Sequence, residues 1–198
     1  MNDINPKALE EINHIEMLVG RNILLFQEVE LLLKEINHLR HGAGTENNLL
    51  ERKRKINELS LGRLSDTSVL TKIDSKLSVK NDTDLYHTYD LLKDYEPLNA
   101  AIKFFNDINT DRNFLVHNFI AKWNLDEAEV RIKAIEWLTN QHDVSFSQKE
   151  VLVLSLNIIN SRIDIINEYF SSEEGEKRWN EFLDSNEEAH ISFTFQDK

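Results

Sequence analysis

Residues 6–41 constrain the fold before anything else does. Apolar side chains recur there at Ile12, Ile15, Val19, Ile23, Phe26, Val29, Leu33 and Ile36, in steps of three and four. A second row, Leu18, Leu25, Leu32 and Leu39, repeats every seven residues. Steps of three and four gather side chains on one face of an α-helix, and two adjoining rows widen that face. The result is broader than a helix covered from one side requires. Asn5 and Pro6 supply a helix start, since Asn caps free N–H groups and Pro is pre-shaped for the first turn. Gly42 and Gly44 supply the stop. The pattern predicts one long helix over 6–41, buried on two sides by its own bundle or by a second subunit.

The rest of the chain continues in that style. Five Gly and two Pro in 198 residues leave little material for the turns of a sandwich or barrel, so helices with short connections are expected. Thr45 can cap a helix running through Leu50 to Leu59. Asp82 or Thr83 can cap another through Tyr86, Tyr89 and Leu92. Pro97 stands near the start of a helix carrying Leu98, Ile102, Phe105 and Ile108, and Asn109, Thr110 and Asp111 can break that helix or cap the next. Asn124 precedes a helix with Val130, Ile132, Ile135, Trp137 and Leu138. Ser147-Gln148-Lys149-Glu150 reads as a capping box opening a further helix, with Val151, Leu154, Ile158, Ile165 and Tyr169 near one face. KRWNEFL is a short amphipathic piece, and HISFTF alternates like a strand without a visible partner. The expected fold is all-α: a bundle of about five or six helices over residues 1–171, followed by an acidic helix and tail over 172–198.

Charge and composition exclude several functions. With 23 basic against 35 acidic residues and a net charge of −12, the chain lacks the broad basic surface that coats nucleic acid non-specifically. Arg52, Lys53, Arg54 and Lys55 form the one dense basic run, either a solvated helix face or an RNA-binding strip. There is no Cys, hence no disulfide and no thiolate metal site. MNDINPKALEE is unlike a signal peptide, and no apolar run reaches the roughly 20 residues that span a bilayer. A soluble, cytoplasmic protein without membrane contact is expected. Glycine-rich phosphate loops, Gly-x-Ser-x-Gly elbows and His-Glu-x-x-His helices are absent. His38 and His41 lack carboxylate partners for a metal and suit a helix C-terminus instead. Trp123, Trp137 and Trp179 read as core or interface aromatics. No metal and no cofactor are expected.

One constellation remains, in RNFLVHNF. Asn113 and His117 stand four apart and share a helix face, with Arg112 turned about 100° from Asn113. If Thr110 or Asp111 caps the helix, all three lie near an N-terminus, where free N–H groups and the macrodipole attract phosphate. Histidine transfers protons near neutral pH and arginine forks onto phosphate oxygens, a combination suited to metal-free phosphodiester cleavage. The residues alone leave a second reading open, in which Arg112 pairs with an acid and His117 is a hydrogen-bonded histidine at the core margin.

The segment resembles the signature of the HEPN superfamily, an Arg, a polar residue, and a His after four intervening positions, filled here by Arg112, Asn113 and His117. FQEVELLLKEI in the first helix and RKRKINELSLGRL ahead of the motif are also similar to a bacterial group of such proteins, over about residues 5–170. The resemblance implies a helical bundle that dimerises so that two motifs face one cleft. It implies metal-independent cleavage of RNA, with an antitoxin or another defence-system protein as partner. His117 would then act as acid/base on the ribose 2′-hydroxyl, Arg112 would stabilise phosphate charge, and Asn113 would orient substrate or histidine. Two other functions stay open: a non-catalytic dimerisation or interaction module, and a nucleotide-binding protein.

Overall fold

A computed structural model describes residues 5–39, 41–44, 46–64, 73, 87–91 and 96–184. The fold is all-α. In chain order it contains α1 (Pro6–Leu39), β1 (His41–Gly44), α2 (Glu46–Asn57), α3 (Leu61–Leu64), β2 (His87–Asp90), α4 (Glu96–His117), α5 (Phe119–Lys122), α6 (Ala128–Phe170) and α7 (Glu173–Asp184). The HISFTF tail, the Asp82/Thr83 cap and the Thr45 cap fall outside the described residues.

Two long helices form the frame. α1 has 34 residues and α6 has 43, about 51 Å and 65 Å at 1.5 Å per residue. They run side by side in the same direction. Glu11 pairs with Arg131, Asn22 bonds Leu138 and Gln141, and Glu28 pairs with Lys149, so both helices advance together. Both apolar rows of α1 contribute to one broad buried face, with Ile15, Leu18, Leu25, Phe26, Val29, Leu33 and Ile36 all inside. In the middle of this seam Asn22, 1% exposed, donates from Nδ2 to Leu138 O at 2.8 Å and to Gln141 Oε1 at 3.0 Å. A buried amide must find partners, and these bonds fix how far one helix can slide along the other.

α6 overturns one expectation. Ser147 does not open a helix: α6 is continuous, and the Ser147 hydroxyl donates to Asp143 O within it. Of the residues expected near one face, Val151 and Ile158 pack partly buried against the core, while Leu154 and Ile165 are exposed. The buried positions are Arg131, Ala134, Leu138, Gln141, Ser145, Leu152, Ser155, Ile159 and Arg162. Small residues let a neighbouring helix approach closely, so this face is marked by Ala and Ser as much as by large apolar side chains.

The segment expected to be helical around Tyr89 is a strand. β2 pairs antiparallel with β1, His41 opposite Asp90 and Gly44 opposite His87. Pairing to a distant stretch of chain overrides local helix preference. Asn109, Thr110 and Asp111 likewise do not interrupt α4, which runs through them to His117. Their helix-propensity cost is under about 0.7 kcal/mol each, and Ile108 and Leu115 on the same helix are buried. Asn109 serves instead as a contact. A Cβ at Gly62 of α3 would come within 2.7 Å of its side-chain nitrogen, so glycine is what lets α3 meet α4.

α7 folds onto the end of α6. Ser172 Oγ accepts from Gly175 N at 3.1 Å, a cap for the new helix. A Cβ on Gly175 would lie 2.0 Å from Tyr169 O, so no other residue fits that turn without displacing backbone. Trp179 meets Phe170 edge-on at 5.9 Å.

Candidate functional site

Arg112, Asn113 and His117 lie in the last two turns of α4. Ile108 and Leu115 face inward one helical repeat of seven apart, 2% and 5% exposed, and orient the helix. That registration leaves Asn113 and His117 at the surface and Arg112 half-buried. Arg112 donates from Nη1 to Asn113 Oδ1 at 3.2 Å. The structure thus brings Arg112 to Asn113, and puts His117 on the same face as Asn113 one turn on. Arg112 and His117 stand about 140° apart around the axis, so they are not adjacent on one face.

The expected phosphate-attracting helix start is corrected. Because α4 begins at Glu96, the N–H groups of residues 110–113 already serve the intrahelical ladder. The ladder even crosses the junction into α5, since Asn118 N donates to Phe114 O at 2.8 Å and Lys122 N to Asn118 O at 3.0 Å. Any phosphate here is held by side chains. Val116 and Ile120, exposed at 48% and 77%, put apolar surface beside His117.

The basic run divides. Arg52 is 3% exposed and donates from Nη1 to Asn37 O and His38 O, the last carbonyls of α1. It is a cap built into the fold and is removed from the candidate RNA-binding strip. Arg54 bonds Glu51 through Nε and Nη2 and Glu58 through Nη1, and Lys55 reaches Glu51 at 3.5 Å. The Arg54 hydrogen bonds hold the Glu51 carboxyl down at about 2. Lys53 is exposed. Neither reading of RKRK describes it whole: one arginine is structural, two side chains are tied to acids, and one faces solvent.

His38 also departs from expectation. It sits in the last turn of α1 with its Nδ1 buried, and burial followed by the charge of Lys53 lowers its pKa. The environment thus favours neutral imidazole over the cation a helix C-terminus would attract. Among the described residues no group of three or more His, Asp or Glu side chains is placed to hold a metal, and no helix is long and apolar enough to cross a membrane.

Composition gave no hint of a cavity beside α4. It is an open depression of about 440 Å³, lined by Thr110, Asp111, Phe114, Lys122, Trp123 and Trp137. Phe114 meets Trp137 edge-on at 5.1 Å, and the Lys122 ammonium lies 5.0 Å above the Phe114 ring. Phe119, buried behind them, packs on both indoles. The Trp123 Nε1 is buried with no acceptor among the described residues. Burial raises the pKa of Asp111, with the Gln141 side chain opposing. Four aromatic side chains fall within residues 114–137, one each on α4, α5 and α6 and one just past α5.

No family model, no curated protein and no solved structure matches this chain.

Proposed function

We propose that this chain is a metal-independent endoribonuclease of HEPN type, a cytoplasmic toxin or phage-defence component that acts as a homodimer. One observation carries the reading. Arg112, Asn113 and His117 are surface-accessible polar groups gathered at the end of one helix whose inward face is otherwise apolar. In the proposed reaction the His117 imidazole takes the proton of a ribose 2′-hydroxyl. The 2′-oxygen attacks the adjacent phosphorus, the bond to the 5′-oxygen breaks, and that oxygen leaves with a proton from an imidazolium. The products are a cyclic 2′,3′-phosphate and a free 5′-hydroxyl. Arg112 stabilises the charge on the phosphate oxygens. The resemblance implies a composite cleft in which a second copy supplies complementary groups, and the roughly 140° between Arg112 and His117 on one α4 is compatible with it. Val116 and Ile120 are the apolar surface that copy would cover.

The experiment incubates the full chain with a panel of RNAs in EDTA, beside Arg112→Ala and His117→Ala. Cleavage by wild type alone, leaving cyclic phosphate ends, is the expected result. Activity that needs a divalent cation, or that persists in both variants, removes the mechanism. The same apolar surface favours one second reading, an interaction module that docks an antitoxin-like partner or another copy without chemistry. Growth arrest on expression, relieved by His117→Ala, argues against it.

A further inference from the structure

Beside the motif lies a cavity that the proposed reaction does not use. It is lined by three aromatic residues, Phe114 on α4, Trp123 just past α5 and Trp137 on α6, together with Thr110, Asp111 and Lys122. We infer that this cavity is a nucleobase-binding pocket, which seats one base of a single-stranded RNA while the neighbouring phosphate lies at Arg112 and His117. The inference rests on the ribonuclease reading for the identity of the polymer, and on the cavity itself for the base.

Three observations point the same way. At about 440 Å³ the space is in the range of sites that hold small ligands, roughly 300–1,000 Å³. Aromatic walls suit a planar, π-faced group, and every base has such a face whatever its sequence identity. Thr110, Asp111 and Lys122 add polar residue types to the lining, of the kinds that read the edge of a base.

Placement ties the cavity to the motif. Thr110, Phe114 and His117 stand at positions i, i+4 and i+7 of α4, one stripe of the helix. His117 is about 4.5 Å along the axis from Phe114. A base in a duplex is stacked and paired and cannot enter, which makes single-stranded RNA the substrate class. The Lys122 ammonium over Phe114 adds positive charge on the side where the strand's phosphates pass.

Tryptophan emission reads occupancy directly, because Trp123 and Trp137 line the cavity and Trp179 lies on α7. The full chain carrying Trp179→Phe and His117→Ala is titrated with a 2′-O-methyl oligoribonucleotide, the same strand with abasic positions, a mononucleotide, and inorganic phosphate. Saturable quenching by the intact strand, with affinity reduced roughly ten-fold or more for the abasic strand, is the expected result. Phe114→Leu keeps an apolar wall, and Lys122→Ala alters only an exposed side chain; both are expected to weaken quenching while helicity by circular dichroism stays unchanged. Equal binding of intact and abasic strands overturns the pocket. Quenching by the mononucleotide but not by the strand overturns RNA as the source of the base. Base-dependent quenching without cleavage by the wild-type chain removes the ribonuclease reading and leaves the pocket standing. Cleavage without base-dependent quenching does the reverse.

Discussion

Four arginines of this chain differ in what surrounds them. Arg52, Arg131 and Arg162 are buried, and each is engaged by groups of the fold. Arg52 takes the last carbonyls of α1, Arg131 takes Glu11, Leu125 O and Asp126 O, and Arg162 takes Leu91 O at the end of β2. Arg112 is more exposed, and the bond it makes goes to Asn113, its own neighbour in the motif. A buried guanidinium is tolerated only when paired, so the first three are fasteners between helices and segments that would otherwise leave carbonyls orphaned. The fourth bonds a neighbour on its own helix. Charge alone does not pick out the structural arginines; what each one touches does.

Substitutions sharpen that division, and the largest effect falls on chemistry. His117→Ala is expected to lower the proposed RNA cleavage by about 10²–10⁴-fold, the range for losing a general acid–base group, with an unchanged thermal midpoint because the side chain is exposed. Equal losses of activity and melting temperature would place His117 among the structural residues. Arg131→Ala breaks the opposite way. It leaves Glu11 without its 2.6 Å partner and is expected to cost about 3–5 kcal/mol in denaturant unfolding. Glu11→Gln combined with Arg131→Met should recover part of that loss. Arg52→Met is expected to cost about 1–3 kcal/mol by orphaning carbonyls of α1, while leaving the salt dependence of RNA binding unchanged. A shallower salt slope would return Arg52 to the RNA-contacting set.

The smallest effect concerns Asp111. Burial raises its pKa in the folded chain, so the folded state binds its proton more tightly than the unfolded one. Its contribution to stability is full below the unfolded pKa and is lost as pH rises through the folded value. Asp111→Asn is therefore expected to raise the midpoint at neutral pH relative to wild type and to flatten the decline of stability above the acid range. Unfolding curves from pH 3 to 8 on both proteins check this.

Much of the frame was legible because periodicity reports a face that packs. Both rows of α1 enter its buried face, and KRWNEFL lies within α7. Boundaries were read less well where polar residues sit inside a helix for tertiary reasons. Asn109 looked like a breaker and is a contact for Gly62; Ser147 looked like a cap and bonds back to Asp143 O. Neither role can be seen without the neighbouring helix. The strand around Tyr89 was hidden because its partner is β1, far away in the sequence. At the site, helical spacing correctly joined Asn113 to His117, but their place at the far end of α4 was invisible while residues 109–111 were read as a start. The aromatic cavity was missed because a tryptophan in a core and one in a wall are spelled alike.

The parallel pairing of α1 with α6 has a consequence during synthesis. Asn22 and Gln141 are 119 residues apart, and Glu11 and Arg131 are 120 apart. At about 5–20 residues per second, α1 leaves the ribosome roughly 6–24 seconds before its mate exists. Through that interval the apolar breadth of the first helix stands open to chaperones and to other nascent chains. The proposed catalytic helix is complete by residue 117, yet the frame that presents it closes only once α6 has emerged. The activity proposed for that helix therefore waits for α6.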